Sequence, residues 1–285
     1  MDVTEELGDG LRQLAIAESI PVINSNYSAL LEKKQSACQY LLDQCARLPK
    51  PLNNILEFLS IVNGVVAGSF VVKAFFQTDT WEPNDIDIWL PAATPSCSPE
   101  GLISYLESCG WTFIQRKTDR EYDSSQIHFE SFSFSHGDPM LARVPVLNLV
   151  ATQVTASELE THLQKSFDLN GCTATWRRDG TFNLAMDWAD FFARQWKFIP
   201  AEVLRLRSYR PRLPVTATRR WMFDRLIQYR KRVLASRIRK YVNRGFVITN
   251  ATEILLLVLY GGDILESEEE KEEQRKFMVS DIFRP

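Results

Sequence analysis

Asp85 and Asp87 are the residues of this 285-residue chain whose types and spacing best suit chemistry. They stand two apart in Asn84-Asp85-Ile86-Asp87-Ile88-Trp89-Leu90, and Gly68-Ser69 precedes them by sixteen residues at the end of an apolar run. In a strand, residues i and i+2 point to the same face. Asp85 and Asp87 are therefore expected side by side, with Ile86 and Ile88 pointing the other way. Two carboxylates held that close repel unless a cation sits between them. Hard divalent cations take oxygen ligands, commonly one or two carboxylates plus substrate phosphates. A Gly-Ser at a strand-to-helix turn can offer backbone N–H groups and a hydroxyl to a phosphate. These are the parts of metal-assisted phosphoryl transfer. The plainer alternative is a turn followed by an edge strand with two solvated aspartates. Ile86, Ile88, Trp89 and Leu90 weigh against it, because they mark a largely buried strand, and buried carboxylates need partners.

The elements that must position these residues follow from periodicity and punctuation. Residues 1–25 read as a loosely specified arm. Leu30, Leu31, Cys38, Leu41, Leu42 and Cys45 recur at helical intervals and predict an amphipathic helix over 28–47. Pro49 and Pro51 punctuate, and Leu52 to Val62 predicts a second helix ending at Asn63-Gly64. Ser98-Pro99-Glu100 has the form of an N-cap with proline in the first turn, opening a helix through Ser108 that Gly110 closes. Strands are predicted at 112–116, 126–135 and 144–150, the last almost wholly apolar and therefore central. A helix is expected over 157–166. Strand-like runs at 172–176 and 181–185 flank Arg177-Arg178-Asp179-Gly180, a hairpin turn sequence. From Asp187 the pattern reads as helical to about Asn243, with Gly245 as a C-cap.

The Gly-Ser, the helix-length gap and the apolar-flanked Asp-x-Asp together resemble the nucleotidyltransferase superfamily of the polymerase-beta type. That superfamily includes nucleotidyl-adding polymerases, antibiotic nucleotidyltransferases and minimal nucleotidyltransferases. The motifs span about residues 60–90. A looser resemblance, carried by Phe167-Asp168-Leu169, the hairpin after it, Arg239-Lys240-Tyr241 and Arg244-Gly245-Phe246, is to nucleotidyltransferase-like proteins of fungi and large viruses. The resemblance implies a nucleoside triphosphate substrate such as ATP, with Mg²⁺ or Mn²⁺ held by Asp85 and Asp87, and phosphates held by Gly68 and Ser69. It also implies a third carboxylate on a neighbouring strand, holding one metal and helping to deprotonate the attacking hydroxyl. The natural strand for it, Val146 to Val150, carries Asn148 at its polar position. An asparagine offers a neutral carbonyl and cannot act as that base. Two accounts follow. Asp168 supplies the missing catalytic acid, or the site has two carboxylates and is weak or inactive, binding nucleotide or RNA without turnover. Asp168 also reads simply as a turn aspartate.

The segment from Arg205 to Arg244 holds fourteen basic side chains and one acidic one, Asp224, in a chain whose net charge is −3. Twelve of the fourteen are arginines, which suit bidentate contacts to phosphate. Arg219, Arg220, Arg230, Arg237 and Lys240, with interleaved tyrosines and Trp221, are candidates for contact with RNA or another nucleic acid. The same stretch also reads as a helix packing one apolar face, or pairing with the acidic tail at Glu266 to Glu273, or serving as a protein-interaction surface.

Hydrophobic content of 45% and charged content of 24% are those of a globular protein with a sizeable core. Five cysteines, none in a Cys-x-x-Cys pair, argue against a disulfide framework or a zinc site. No run of about 18 apolar residues occurs, and the acidic start is unlike a secretory leader. A cytoplasmic protein with no membrane partner is the expectation. The fold expected is α+β, a small mixed β-sheet core flanked by helices with a helical C-terminal extension. Its expected parts are an arm and helix at 1–50, a nucleotidyltransferase-like core at 51–186, and a basic helical region with an acidic tail at 187–285.

Overall fold

The structure, a computed structural model, describes residues 27–92, 98–118, 129–136, 145–167, 169–198 and 236–251. Helix α1 covers 27–46 and buries Ala37, Leu41 and Cys45. A short 3₁₀ turn at Leu52–Asn54 leads into α2, Ile55–Val62, whose Ile55, Phe58, Leu59 and Val62 form one apolar face. Asn63 ends it in the left-handed conformation, its N–H returning to the Leu59 carbonyl. Strand β1 (Val65–Ala67) runs into Gly68 and then helix α3 (Ser69–Phe75). Strand β2 is Asp85–Leu90. Helix α4, Pro99–Ser108, starts as its sequence predicts, with Ser98 Oγ accepting from the Gly101 N–H at 3.1 Å.

Strands β3 (Trp111–Thr118), β4 (Phe129–His136) and β5 (Val146–Thr152) follow, then helix α5 (Leu159–Ser166). The expected strand at 172–176 begins later, because residues Asn170–Thr173 form a 3₁₀ turn. Strand β6 is Thr175–Arg177, and its hairpin partner β7 is Phe182–Asn183. Gly180 closes that hairpin at φ +79°.

The seven strands form one sheet in the order β3-β4-β5-β2-β1-β6-β7. Every pair in it is antiparallel except β2 with β5, so the sheet is mixed and the architecture is α+β, as expected. Ile86, Ile88 and Leu90 enter the main core with α1, α2 and α3. The other face is divided: Val65 and Ala67 pack under Leu159 and Leu163 of α5, with Trp89 alongside, while Asp85, Asp87 and Asn148 form a polar strip.

The expectation of continuous helix from Asp187 is corrected by the structure. Helix α6 covers only Trp188–Phe192, and Arg194 then takes φ +58°. Trp196 and Phe198 are buried while Gln195 and Lys197 are exposed, which is strand periodicity. Strand β8 (Gln195–Trp196) pairs in parallel with β9 (Val247–Ile248). Between them lies helix α7, described over 236–243, which buries Ile238 and Tyr241. The expected cap is present, with Gly245 at φ +82° and the Phe246 N–H bonded to the Tyr241 carbonyl. Trp196, wedged among Phe191, Tyr241 and Phe246, ties this segment to the core. No helix among the described residues is long and apolar enough to cross a membrane.

Candidate active site

Gly68 stands where β1 turns into α3, at φ +82° and ψ −152°, a region open in practice to glycine alone. A Cβ there would lie 3.1 Å from Asp87 Oδ2, so the missing side chain also lets the turn approach the carboxylate. Ser69 is buried, and its Oγ stands 3.5 Å from Asp85 Oδ1, the outer edge of hydrogen-bonding distance. The fifteen residues between Ser69 and Asp85 thus return the Asp-x-Asp strand to the Gly-Ser turn. All four of these sequence-predicted residues converge.

Asp85, Asp87 and Trp89 share the face of β2 opposite Ile86, Ile88 and Leu90. Burial pushes the Asp87 carboxyl up to about 7, and the Asp85 charge adds to the rise. The hydrogen bond from Asn148 and the charges of Lys240 and Arg237 oppose it. This is a carboxylate pair short of positive charge. Among the described residues no group of three or more histidine, cysteine or acidic side chains could hold a metal ion. The oxygen donors of Asp85 and Asp87 nevertheless fit a hard divalent cation that phosphates would complete.

Asn148 lies beside Asp87 in register on the parallel strand β5, and Ser133 on β4 lies opposite Asn148. Asn148 Nδ2 donates to Asp87 Oδ1 at 2.8 Å, and Ser133 Oγ donates to Asn148 Oδ1 at 2.8 Å. The position of the third carboxylate is thus filled by an amide that bonds to the second.

Helix α7 supplies a basic wall. Arg237, Lys240 and Arg244 fall on one face at helical spacing, and the first two act on Asp87 through their charges. Arg244 is held over the Trp81 ring at 4.1 Å, with Nη2 3.3 Å from the Glu82 carbonyl. Burial draws its guanidinium below its usual value, while Tyr241, Cys172 and Asp85 push the other way. Arg237 and Lys240, read from the sequence as nucleic-acid contacts, therefore stand within electrostatic reach of Asp87. Asp168, Arg219, Arg220 and Arg230 lie outside the described residues.

Sequence reasoning missed Ser133, Trp81, Arg244 as a neighbour of the acidic pair, and Arg194. Ser133 had a signal in its Phe-Ser-Phe-Ser alternation, which puts the serines opposite the phenylalanines. Arg194 had none: it reaches Asp79, 115 residues away, with two bonds of 2.9 and 2.7 Å.

No protein family model matches the chain, and no curated protein matches it. Among solved structures it aligns with the Thermotoga maritima CCA-adding enzyme complexed with tRNA(CCA), at a TM-score of 0.35 and 12% identity. The alignment covers 83% of this chain and 59% of that one, so the chain spans less than two thirds of that enzyme's length.

Proposed function

We propose that this protein is a metal-dependent nucleotidyltransferase that moves the nucleoside monophosphate of a nucleoside triphosphate to a hydroxyl on an acceptor. The supporting observation is the convergence of Gly68, Ser69, Asp85 and Asp87 under a basic helix face. Asp85 and Asp87 would hold Mg²⁺ or Mn²⁺. The bound cation would neutralise phosphate charge and stabilise the oxygens around the attacked phosphorus. The bare turn at Gly68 and the Ser69 hydroxyl would take the outer phosphates, with Arg237, Lys240 and Arg244 supplying countercharge from the facing wall. The acceptor hydroxyl would attack the α-phosphorus in line. A new O–P bond forms, the bond from that phosphorus to the α,β-bridging oxygen breaks, and pyrophosphate leaves with the electron pair. The hydroxyl proton needs a base, which Asn148 cannot be. Asp168 is the residue the sequence offers for that role. The arginine-rich segment favours RNA as the source of the acceptor hydroxyl.

Thermal melting with each nucleoside triphosphate, with and without Mg²⁺ or Mn²⁺, tests the site, because a ligand that binds only the native state raises its melting temperature. The expected result is a cation-dependent rise that the Asp85→Asn/Asp87→Asn double variant loses. Pyrophosphate release in the presence of RNA should follow the same pattern. No shift with any nucleotide would sink the proposal, and a shift without pyrophosphate release would reduce it to nucleotide binding.

A further inference from the structure

Ser133, Asn148 and Asp87 form one rung across β4, β5 and β2, paired in register at each step. The hydrogen bonds show how the rung is wired. Asp87 must be ionised to hold a cation, and an ionised carboxylate only accepts hydrogen bonds, which suits the NH₂ that the Asn148 amide turns toward it. That leaves its carbonyl facing β4, where the Ser133 hydroxyl donates to it at 2.8 Å. Oδ1 is the one atom of Asn148 able to bind a hard cation, and it is engaged on the side away from Asp87. The atom presented to Asp87 is a nitrogen carrying hydrogens, and its bond of 2.8 Å takes Asp87 Oδ1.

The other carboxylate oxygen is differently placed. Asp87 Oδ2 looks toward Gly68, 3.1 Å from where a Cβ would stand, on the side where Ser69 Oγ approaches Asp85 Oδ1. Oxygen donors therefore gather on the Gly68–Ser69 side of Asp87, and an N–H donor closes the β5 side. A cation lodged between Asp87 and Asn148 would face the positive end of the amide dipole.

We infer that the site takes a single divalent cation together with its nucleotide, on the Gly68–Ser69 side. The Asn148–Ser133 pair closes the position where a second cation would bridge Asp87 to the neighbouring strand. The inference rests on the nucleotidyltransferase reading of the site and refines it. Such a site keeps its grip on a cation–triphosphate complex while lacking a second cation to lower the pKa of the acceptor hydroxyl. Asn148 becomes a residue that separates nucleotide affinity from turnover.

The test is a Mn²⁺ titration followed by electron paramagnetic resonance at saturating α,β-methylene ATP, which cannot release pyrophosphate. Wild type should bind one Mn²⁺ per chain. Asn148→Asp, which keeps the acceptor for Ser133 and adds a carboxylate, should bind two. Asn148→Ala, which removes the amide without adding a ligand, should stay at one. The metal-free Asn148→Asp protein should melt below wild type, since it adds a third carboxylate to an already crowded pair, and Mn²⁺ should restore it. Two Mn²⁺ ions in wild type would overturn the inference and leave the proposed function standing. A folded Asn148→Asp that binds only one would overturn it too, and no Mn²⁺ in wild type would overturn both. If Asn148→Asp does not fold, the counts for wild type and Asn148→Ala decide, with two in either one against it.

Discussion

A side chain at Gly68 would crowd Asp87 and would sit in a backbone conformation that residues with a Cβ rarely adopt. An alanine there would sit at φ +82° and ψ −152° and bring a methyl group against Asp87 Oδ2. The backbone term alone costs on the order of 1–3 kcal/mol. Gly68→Ala should therefore melt several degrees lower than wild type and lose most of the melting rise given by nucleotide and Mg²⁺. An unchanged rise would mean that the turn does not border the ligand. Asp87 carries a pH signature of its own. Its carboxyl titrates near 3.9 in an unfolded chain and at about 7 in the fold. Between those values the native state binds the extra proton, so this residue's contribution to stability falls as pH rises from about 4 to about 7. Asp79 acts in the opposite sense. The bond from Arg194 holds its carboxyl below the usual range, so its contribution is present above about pH 4 and is lost as pH falls through the folded value. In EDTA, Asp87→Asn should flatten the decline in melting temperature between pH 5 and 8. An equal decline in both proteins would put the buried charge elsewhere.

Helix α7 overlooks the acidic pair because the 77–84 connection between α3 and β2 is clamped to it. Arg194 forks onto both oxygens of Asp79 and donates from Nη1 to the Arg244 carbonyl at 3.0 Å. Lys73, which is 2% exposed, donates to the Asp79 carbonyl at 2.6 Å, and Trp81 Nε1 donates to the Asp79 carboxylate at 2.8 Å. The clamp thus gathers the cap of α7, the Trp81 platform and the end of α3. Arg194→Met should cost about 2–4 kcal/mol in a denaturant titration, since charge-assisted bonds are lost and Asp79 is stranded. Arg194→Lys should recover little of it, because a single ammonium cannot fork. The sequence already carried the elements with local signatures: Asn63-Gly64 ending α2, Ser98-Pro99 starting α4, the Asp179-Gly180 turn, and the Asp85/Asp87 alternation beside Gly68-Ser69. Each is decided within a few residues. The pairing of β8 with β9 was not legible, because it joins Trp196 to Ile248 across 52 residues and its strands are two residues long. Nor was the Arg194 clamp, whose partner Asp79 is 115 residues away in sequence and meets it only in the fold. Asn148 was visible as the departure from an acid, but its wiring to Ser133 depends on a sheet register that no single strand specifies.

Charge is distributed across the molecule in a way its net value of −3 conceals. The site has walls of opposite sign, with Asp85 and Asp87 on the sheet and Arg237 and Lys240 on α7, joined by Arg244 in the turn that ends it. That arrangement suits a ligand that is itself both cationic and polyanionic, such as a triphosphate carrying a divalent cation. A sequence-independent grip on nucleic acid would need the positive wall alone. The two roles separate by charge reversal on the two sides of α7. Arg237 and Lys240 act on Asp87 through their charges, whereas Arg239, about half a turn from Arg237 around the helix, is exposed. Reversing a charge near a partly exposed phosphate costs on the order of 1 kcal/mol. Arg237→Glu with Lys240→Glu should therefore weaken Mg²⁺–ATP binding by roughly 20- to 30-fold at low salt, and adenosine binding far less. Arg239→Glu should leave both within about twofold. The loss should shrink as salt rises through about 0.1 M, where the screening length falls to about 10 Å. Calorimetry of the three proteins with ATP and adenosine reads all of this at once. If Arg239→Glu weakens ATP as much as the facing pair does, the helix acts through its overall charge rather than through the wall it presents to Asp85 and Asp87. The basic segment would then belong to a nucleic-acid backbone instead of the triphosphate.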